Sequence, residues 1–544
     1  MKKPLILAAA LVLLLAAWQQ GTTDETAGKK GTDVPWPSWV FGHVVWEDES
    51  TTQGTYDLVE GYREHGIPVD GVIIDSPWET EYNTFEPDPG RYPDMDRLIS
   101  DLHEDDVRVI IWITSMVNLE DPQYDHCLEQ GYFVDGMEEV EWWKGVGGMI
   151  DYENPQALQW WHKRMDKAIA LGLDGWKVDG TDPFMLMKGW QARKDYSRNY
   201  YSDFYDYTRK KTGRKTVVMA RPMEQILNES VFGLPAWANP LDTGLYLKFA
   251  PVEKSFMSWV GDQDPTFSGL QIAIRWILDS ARNDYLIIGS DIGGYRGAPE
   301  KEVLIRWCQF GAFCPLMETG GVGEHRPWKY DRETLRIFRA YTLMHRALEP
   351  YLFTEAVKAW KEGRSMITPL SRFKDDYLLG EDILVVPVQD DSGKVKVELP
   401  KGSDWRPLYL NEDFLLATEK CRVPSSDFYL YKGGCSFTYK YPLEAFPVFV
   451  RAGSAIPLRT DYFMKLTKGV KDLQDSGRVL WVVPPAPDSK VTVEGKIFEE
   501  DKAPVHYSGQ VDTNRGFSHT VETDGDEWPL ITEAGELEPV TWHE

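Results

Sequence analysis

Residues 172–184, GLDGWKVDGTDPF, put a lysine and two carboxylates into a run otherwise suited to burial. Leu173, Trp176 and Val178 read as strand, which ends at Asp179, with Asp182 three residues further on. Lys177 precedes Asp179 by two positions, so on a strand both side chains leave by one face, and the ammonium favours the ionised carboxyl. The competing reading is a buried ion pair between Lys177 and some other carboxylate. Comparable runs end in Asp75, Arg221, Asp262, Asp291 and Glu318. Taken singly, any one of these reads better as a helix N-cap or a solvated loop residue. Taken jointly, six charged run-ends describe a polar, acidic pocket.

The elements that would gather these residues follow from periodicity. Eight short runs rich in β-branched residues are expected as strands: 39–46, 71–75, 107–113, 174–179, 216–221, 256–262, 285–291 and 312–318. Amphipathic stretches between most of them, such as 55–65, 94–104, 155–171 and 269–281, are expected as helices. Strand–helix alternation repeated eight times over this length predicts a TIM (β/α)8 barrel, in which the C-terminal strand ends converge on one cavity. After Leu352 short alternating runs with Pro and Gly turns (ILVVPV, KVKVEL, FPVFVRAGSAIPL) predict C-terminal β-sandwich material. The expected organisation is a signal peptide at 1–20, a disordered leader at 21–34, the barrel at 35–350, a β-sandwich at 351–460, and a small distal β domain with a polar tail at 461–544.

Composition bounds the function. The chain has 544 residues and a formal net charge of −27, which argues against nucleic acid or an anionic membrane surface as partner. Lys2 and Lys3 followed by the apolar run 5–17 read as an export signal, too short for a membrane span. Trp18 stands where a lipid-accepting cysteine would be, so export to the periplasm or the exterior without a stable membrane anchor is expected. Five cysteines do not make a disulfide framework; Cys127, Cys308 and Cys314 are expected in the interior, while Cys421 and Cys435 flank a candidate hairpin and could pair. With no CxxC, HExxH, GxGxxG or GxxxxGK[ST] in the sequence, no metal or nucleotide cofactor is expected.

Several segments resemble the retaining α-glycosidases of glycoside hydrolase family 31. GYREHGIPVDGVIIDSPW resembles the family's early barrel segment, GWKVD its nucleophile strand and SWVGD its acid/base strand. IIGSDIGGY and RWCQFGAF resemble the seventh and eighth barrel strands, HRPWKYD the segment after them, and FPVFVRAGSAIPL the end of the family's sandwich. The resemblance runs from about Trp36 to Leu458, and the order and spacing of the segments carry it. It implies Asp179 as nucleophile and Asp262 as general acid/base. It also implies Lys177, Arg221, Trp259 and Asp291 lining the sugar pocket, with Asp75 and Trp112 at its floor. Glu318 falls in the same region.

Retaining glycoside hydrolysis needs one ionised carboxylate and one proton donor set about 5–5.5 Å apart. Trp259-Val260-Gly261 before Asp262 suggests an apolar setting that would raise its pKa; Asp264 is its nearest rival. Arg221 either binds hydroxyls or braces a carboxylate. Trp112, Trp259 and Trp328 are sugar platforms or core, and Asp182 is an N-cap or a sugar contact. Ser76 after Asp75, Asp182 in place of a glutamate, and Glu318-Thr319 where a histidine is common depart from the family pattern, with His325 lying later. The family's N-terminal sandwich has no evident counterpart. The function expected is an exported, exo-acting, retaining α-glycosidase acting on an oligosaccharide or glycoconjugate, with an α-galactoside as first substrate. An α-glucosidase, α-xylosidase or α-N-acetylgalactosaminidase is the alternative within the family, and a transglycosylase or lyase would share the first step. A catalytically dead carbohydrate-binding protein is the alternative class.

Overall fold

The computed structural model describes residues 33–180, 196–225, 246–248, 250–424, 429–463, 465–466 and 477–514, with short pieces between 518 and 531. The expected signal peptide, Asp182 and the end of the polar tail lie outside the described residues.

The first half is built on nine short parallel strands: β1 His43–Val45, β2 Gly71–Ile74, β3 Arg108–Ile113, β4 Gly175–Val178, β5 Val217–Ala220, β6 Met257–Trp259, β7 Ile288–Gly289, β8 Asp291–Ile292 and β9 Met317–Thr319. They pair in the order β7-β6-β5-β4-β3-β2-β1-β9-β8. Only Ser290 separates β7 from β8, so these are two halves of the expected seventh strand. Leu316 donates its N–H to the Ile288 carbonyl at 3.3 Å, tying the two ends of the sheet together. The result is a nearly closed TIM barrel.

Helices cover the outside, and their ends follow local chemistry. α1 Thr52–Glu64 starts where the Thr51 hydroxyl accepts the N–H of Gly54. α2 Met95–Glu104 buries Met95, Leu98, Ile99 and Leu102, one stripe at helical spacing. α3 Pro155–Ala170 combines an Asn154 cap with a proline in its first turn. α4 Tyr196–Thr212, α5 Phe267–Ala281 and α6 Lys301–Gly311 continue the ring.

The strands are shorter than the apolar runs. Residues Ser38–Phe41 form a 3-10 turn before β1, and Ala312 is the C-cap of α6, so the last strand begins only at Met317. Between β3 and α3 the chain adds an antiparallel sheet of Met116–Asn118, Val140–Trp142 and Gly145–Met149, which pattern reading misses. Its sequence GVGGM has too few side chains to show alternation. A Cβ on Gly147 would lie 2.6 Å from the Val117 carbonyl oxygen, which explains that composition.

The C-terminal half is antiparallel. Ile367–Pro369, Tyr377–Leu379, Ile383–Val385, Val448–Arg451 and Trp405–Pro407 form one sheet, and Lys394–Glu398 pairs with Ser436–Lys440. Trp405, Phe414, Tyr431, Phe437 and Phe449 fill a core of their own. Ala455–Arg459 pairs with Arg478–Val482, so strand pairing runs across residue 460. Cys421 and Cys435 are joined by a disulfide, and Cys127, Cys308 and Cys314 are buried thiols.

Candidate active site

Strand register assembles the site in layers. Lys177 on β4 is the partner of Trp112 on β3, and Ile74 on β2 is the partner of Ile111, which sets Asp75 level with Trp112. One step further, the pairing of Val178 with Ala220 sets Asp179 level with Arg221. On the far side Asp291 and Glu318 are direct partners across β8 and β9. Residues separated by up to 243 positions (318 − 75) thus meet at one barrel mouth.

Arg221 is the centre of this arrangement. Its Nε donates to Asp179 Oδ1 at 3.0 Å, and its Nη2 donates to Asp262 Oδ1 at 2.8 Å. One guanidinium therefore holds both carboxylates. Gly261 makes the reach possible: its φ is 88°, and a Cβ there would sit 2.7 Å from Arg221 Nη1. Asp179 also accepts the N–H of Gly180 at 2.8 Å and the indole N–H of Trp112 at 3.2 Å. Burial opposes its charge, but Arg221, Lys177, Gly180 and Trp112 together outweigh that and hold its carboxyl below the usual carboxylate range.

Lys177 donates to Asp75 Oδ2 at 2.9 Å, with exposures of 4% and 7% for the two side chains. The ion pair that the sequence left as the competing reading is thus present, and the bonded cation of Asp179 is Arg221. Lys177 still favours the Asp179 anion through space. Its ammonium lies 3.7 Å from the centroid of Trp46 and 5.0 Å from that of Trp259, an aromatic cage around a buried charge.

Asp291 and Glu318 are 1% and 0% exposed, and none of their four oxygens receives a hydrogen bond among the described residues. Burial, then the neighbouring Glu318 charge, push Asp291 well above the ordinary carboxylate range. Glu318 is pushed up to about 7 by burial and Asp75, with Lys177 opposing. Two such groups side by side cannot both ionise in a dry site. Asp262 differs from the apolar setting that its sequence neighbours suggested: Trp259 and Val260 are buried, but the Asp262 side chain is 29% exposed and bonded to Arg221. Its rival Asp264 is 65% exposed and faces Arg296 at 3.6 Å, away from this cluster.

Trp112 and Trp259 are in the site. Trp328 is not: it packs on Tyr62 and His65 against α1. His325 ties two loops by bonding the Gly294 carbonyl at 2.8 Å. The site also contains residues that sequence reasoning passed over, namely Trp46, Asp48 and Tyr295. Trp46 and Tyr295 stack with centroids 6.0 Å apart at 16°. Trp46 and Asp48 just beyond the first strand are the available signal, because they repeat the aromatic and acidic residues found at other strand ends. Among the described residues, no group of three or more His, Cys, Asp or Glu is arranged to hold a metal ion.

Two carboxylates at one barrel mouth are the pair that glycoside hydrolysis employs. Comparison with known proteins makes the family definite. Residues 34–355 match the TIM-barrel domain of glycosyl hydrolases family 31, and residues 353–456 match that family's C-terminal domain. The chain belongs to glycoside hydrolase family 31. It is 24% identical over 450 residues to an α-xylosidase of Emericella nidulans, covering 78% of this chain and 53% of that protein. It is 26% identical over 469 residues to a sulfoquinovosidase of Escherichia coli, covering 77% and 62%. A family 31 dextranase of Flavobacterium johnsoniae, solved with glucose, superposes with a TM-score of 0.68 at 19% identity, covering 88% of this chain and 60% of that one. The chain thus spans roughly half to two thirds of the length of these relatives.

Proposed function

We propose that the protein is a retaining, exo-acting α-glycosidase working by double displacement. The observation that carries this reading is the single guanidinium of Arg221 bonded to both Asp179 and Asp262. Asp179, held ionised, attacks the anomeric carbon while Asp262 gives a proton to the departing glycosidic oxygen. Among the described residues Asp179 Oδ2 accepts one bond, from Trp112, and is the freer oxygen for attack. In the second step Asp262, now a carboxylate, takes a proton from water, which displaces Asp179 from the sugar. The nearly buried Asp75, Lys177, Trp112 and Trp259 form a closed floor, which suits removal of a terminal sugar rather than cleavage within a chain.

For the sugar, the departures at Ser76 and at Glu318-Thr319 favour an α-galactoside-type substrate. The α-xylosidase and α-glucosidase names of several relatives supply the second reading. Export to an oxidising compartment is supported by the basic and apolar N-terminus and by the Cys421–Cys435 disulfide. An oligosaccharide or glycoconjugate is the expected partner, and no helix among the described residues is long and apolar enough to cross a membrane.

The test is covalent trapping. A panel of 2-deoxy-2-fluoro-α-glycosyl fluorides of galactose, glucose and xylose is incubated with the enzyme, which is then digested and analysed by mass spectrometry. The expected result is one sugar on the peptide containing Asp179. Labelling elsewhere, or release of the β anomer first from an α-glycoside, defeats the reading.

A further inference from the structure

We propose that Tyr200 is a positioning residue for the nucleophile: its hydroxyl orients the Asp179–Gly180 peptide so that the Gly180 N–H is aimed at the Asp179 carboxylate. This role rests on the function proposed above for Asp179, and otherwise on geometry. Tyr200 lies in the first turns of α4 and donates its hydroxyl to the Asp179 backbone carbonyl at 2.8 Å. The β4–β5 pairing ends at Val178 and Ala220, so that carbonyl lies just past the sheet, where a helix side chain takes it. The Asp179 N–H is fixed on the Ile113 carbonyl at 2.9 Å. Both backbone groups of the nucleophile are therefore tied, one to β3 and the other to α4.

The carbonyl of Asp179 and the N–H of Gly180 belong to one planar trans unit and point in opposite directions, so holding the first aims the second. That N–H lies 2.8 Å from Asp179 Oδ1, the oxygen that also accepts Arg221 Nε at 3.0 Å. Two donors on Oδ1 set the carboxylate plane and leave Oδ2 for attack. Burial opposes the Asp179 charge, while Arg221, Lys177, the Gly180 N–H and the Trp112 indole favour it; the two cations have Asp262 and Asp75 as their other partners. Tyr200 itself is fully buried, packed on Tyr201 at 4.8 Å, Tyr152 at 5.6 Å and Phe204 at 5.7 Å between ring centroids. Phenylalanine would fill the same space, and a buried hydroxyl is costly unless bonded, so what tyrosine adds here is the tie to Asp179. Tyr196, one turn earlier on the same helix, is a matched contrast: its hydroxyl donates to Ser115 Oγ at 2.9 Å.

The experiment compares wild type with Tyr200→Phe and Tyr196→Phe, each of which removes one buried hydroxyl and keeps its ring. The inactivation rate and inactivator affinity are measured with whichever 2-deoxy-2-fluoro-α-glycosyl fluoride of galactose, glucose or xylose labels the wild type, and the pH profile of kcat/KM with the matching α-glycosyl fluoride. A neutral hydrogen bond corresponds to about 3- to 10-fold, so in Tyr200→Phe the inactivation rate should fall by that factor with affinity unchanged, since a fully buried side chain does not touch the sugar. With the Gly180 donor loosened, the Asp179 carboxyl should rise and the acid limb of kcat/KM should move to higher pH by about half a unit to one unit. Tyr196→Phe should leave that limb in place. Hydrogen exchange of the Gly180 amide, read by mass spectrometry, should quicken in Tyr200→Phe alone. An unmoved limb or unchanged exchange in Tyr200→Phe, or an equal shift in Tyr196→Phe, overturns the proposal. A Tyr200→Phe chain that does not fold assigns the hydroxyl to the fold and overturns it too. Labelling of wild type at another residue would defeat the function proposed above, while exchange at Gly180 would still decide whether Tyr200 holds this peptide.

Discussion

Arg221 carries the most informative perturbation, because one side chain holds both carboxylates. In Arg221→Met the Asp179 anion loses a charge-assisted bond at 3.0 Å in a site where its side chain is 11% exposed. Such a bond is worth about 1.5–3 kcal/mol, and solvent screening takes little of it at that depth. Since about 1.4 kcal/mol corresponds to one pKa unit, the Asp179 carboxyl should rise by roughly one to two units. Asp179 must be ionised to attack, so the acid limb of kcat/KM should move to higher pH by that amount. The bond to Asp262 is discounted, because that side chain is 29% exposed. Its loss should appear as misplacement, lowering the plateau by about 10- to 100-fold. Arg221→Lys separates the two effects: it keeps the charge, so the limb should move less, but a lysine cannot fork to both carboxylates and the plateau should still fall. The depressed carboxyl also contributes stability that is present above the unfolded value of 3.8 and is lost as pH falls, and this share should vanish in Arg221→Met. The assay is a pH profile of kcat/KM from 3 to 9 on a glycosyl fluoride, with thermal melts across the same range. A folded Arg221→Met enzyme whose acid limb stays in place would refute the reasoning.

Asp179→Ala should abolish glycosyl-enzyme formation on every substrate. Asp262→Ala should lose on the order of 10²–10⁴-fold on poor leaving groups and less on glycosyl fluorides, with azide restoring turnover to an α-glycosyl azide; no rescue would remove Asp262 from its role. Glu318→Gln should flatten stability against pH. The wild-type carboxyl keeps its proton when folded up to about 7 but loses it unfolded near 4.5, so wild-type stability falls by up to about 3 kcal/mol across that window and the amide does not. Parallel melts at pH 4.5 and 7.5 decide it. Reducing the Cys421–Cys435 disulfide, which closes a loop of 14 residues, should cost about 2–3 kcal/mol, read as a lower denaturation midpoint for the reduced protein. An unchanged midpoint would show that the β-rich half does not depend on it.

The barrel and the acidic mouth were legible in the sequence because both rest on local rules. Side chains two apart on a strand share a face, which put Lys177 and Asp179 together, and amphipathic spacing marks helices such as the one expected over 94–104 and found at Met95–Glu104. What could not be read was which charge meets which. That depends on register between strands far apart in the chain: the pairing of Val178 with Ala220 gives Asp179 to Arg221, while Lys177 is left to Asp75. The same holds for Trp328, whose type suits a sugar platform but whose helix-side neighbours Tyr62 and His65 make it packing. Asp48 and Tyr295 escaped notice because neither ends an apolar run, and only closure of β1 against β9 brings them over the pocket. The sequence by itself thus determined the kind of barrel and the acidity of its mouth, since strand periodicity is a property of consecutive residues. Tertiary structure alone decided the partners, because a hydrogen bond is set by distance, and distance across a barrel is fixed by strand register and closure.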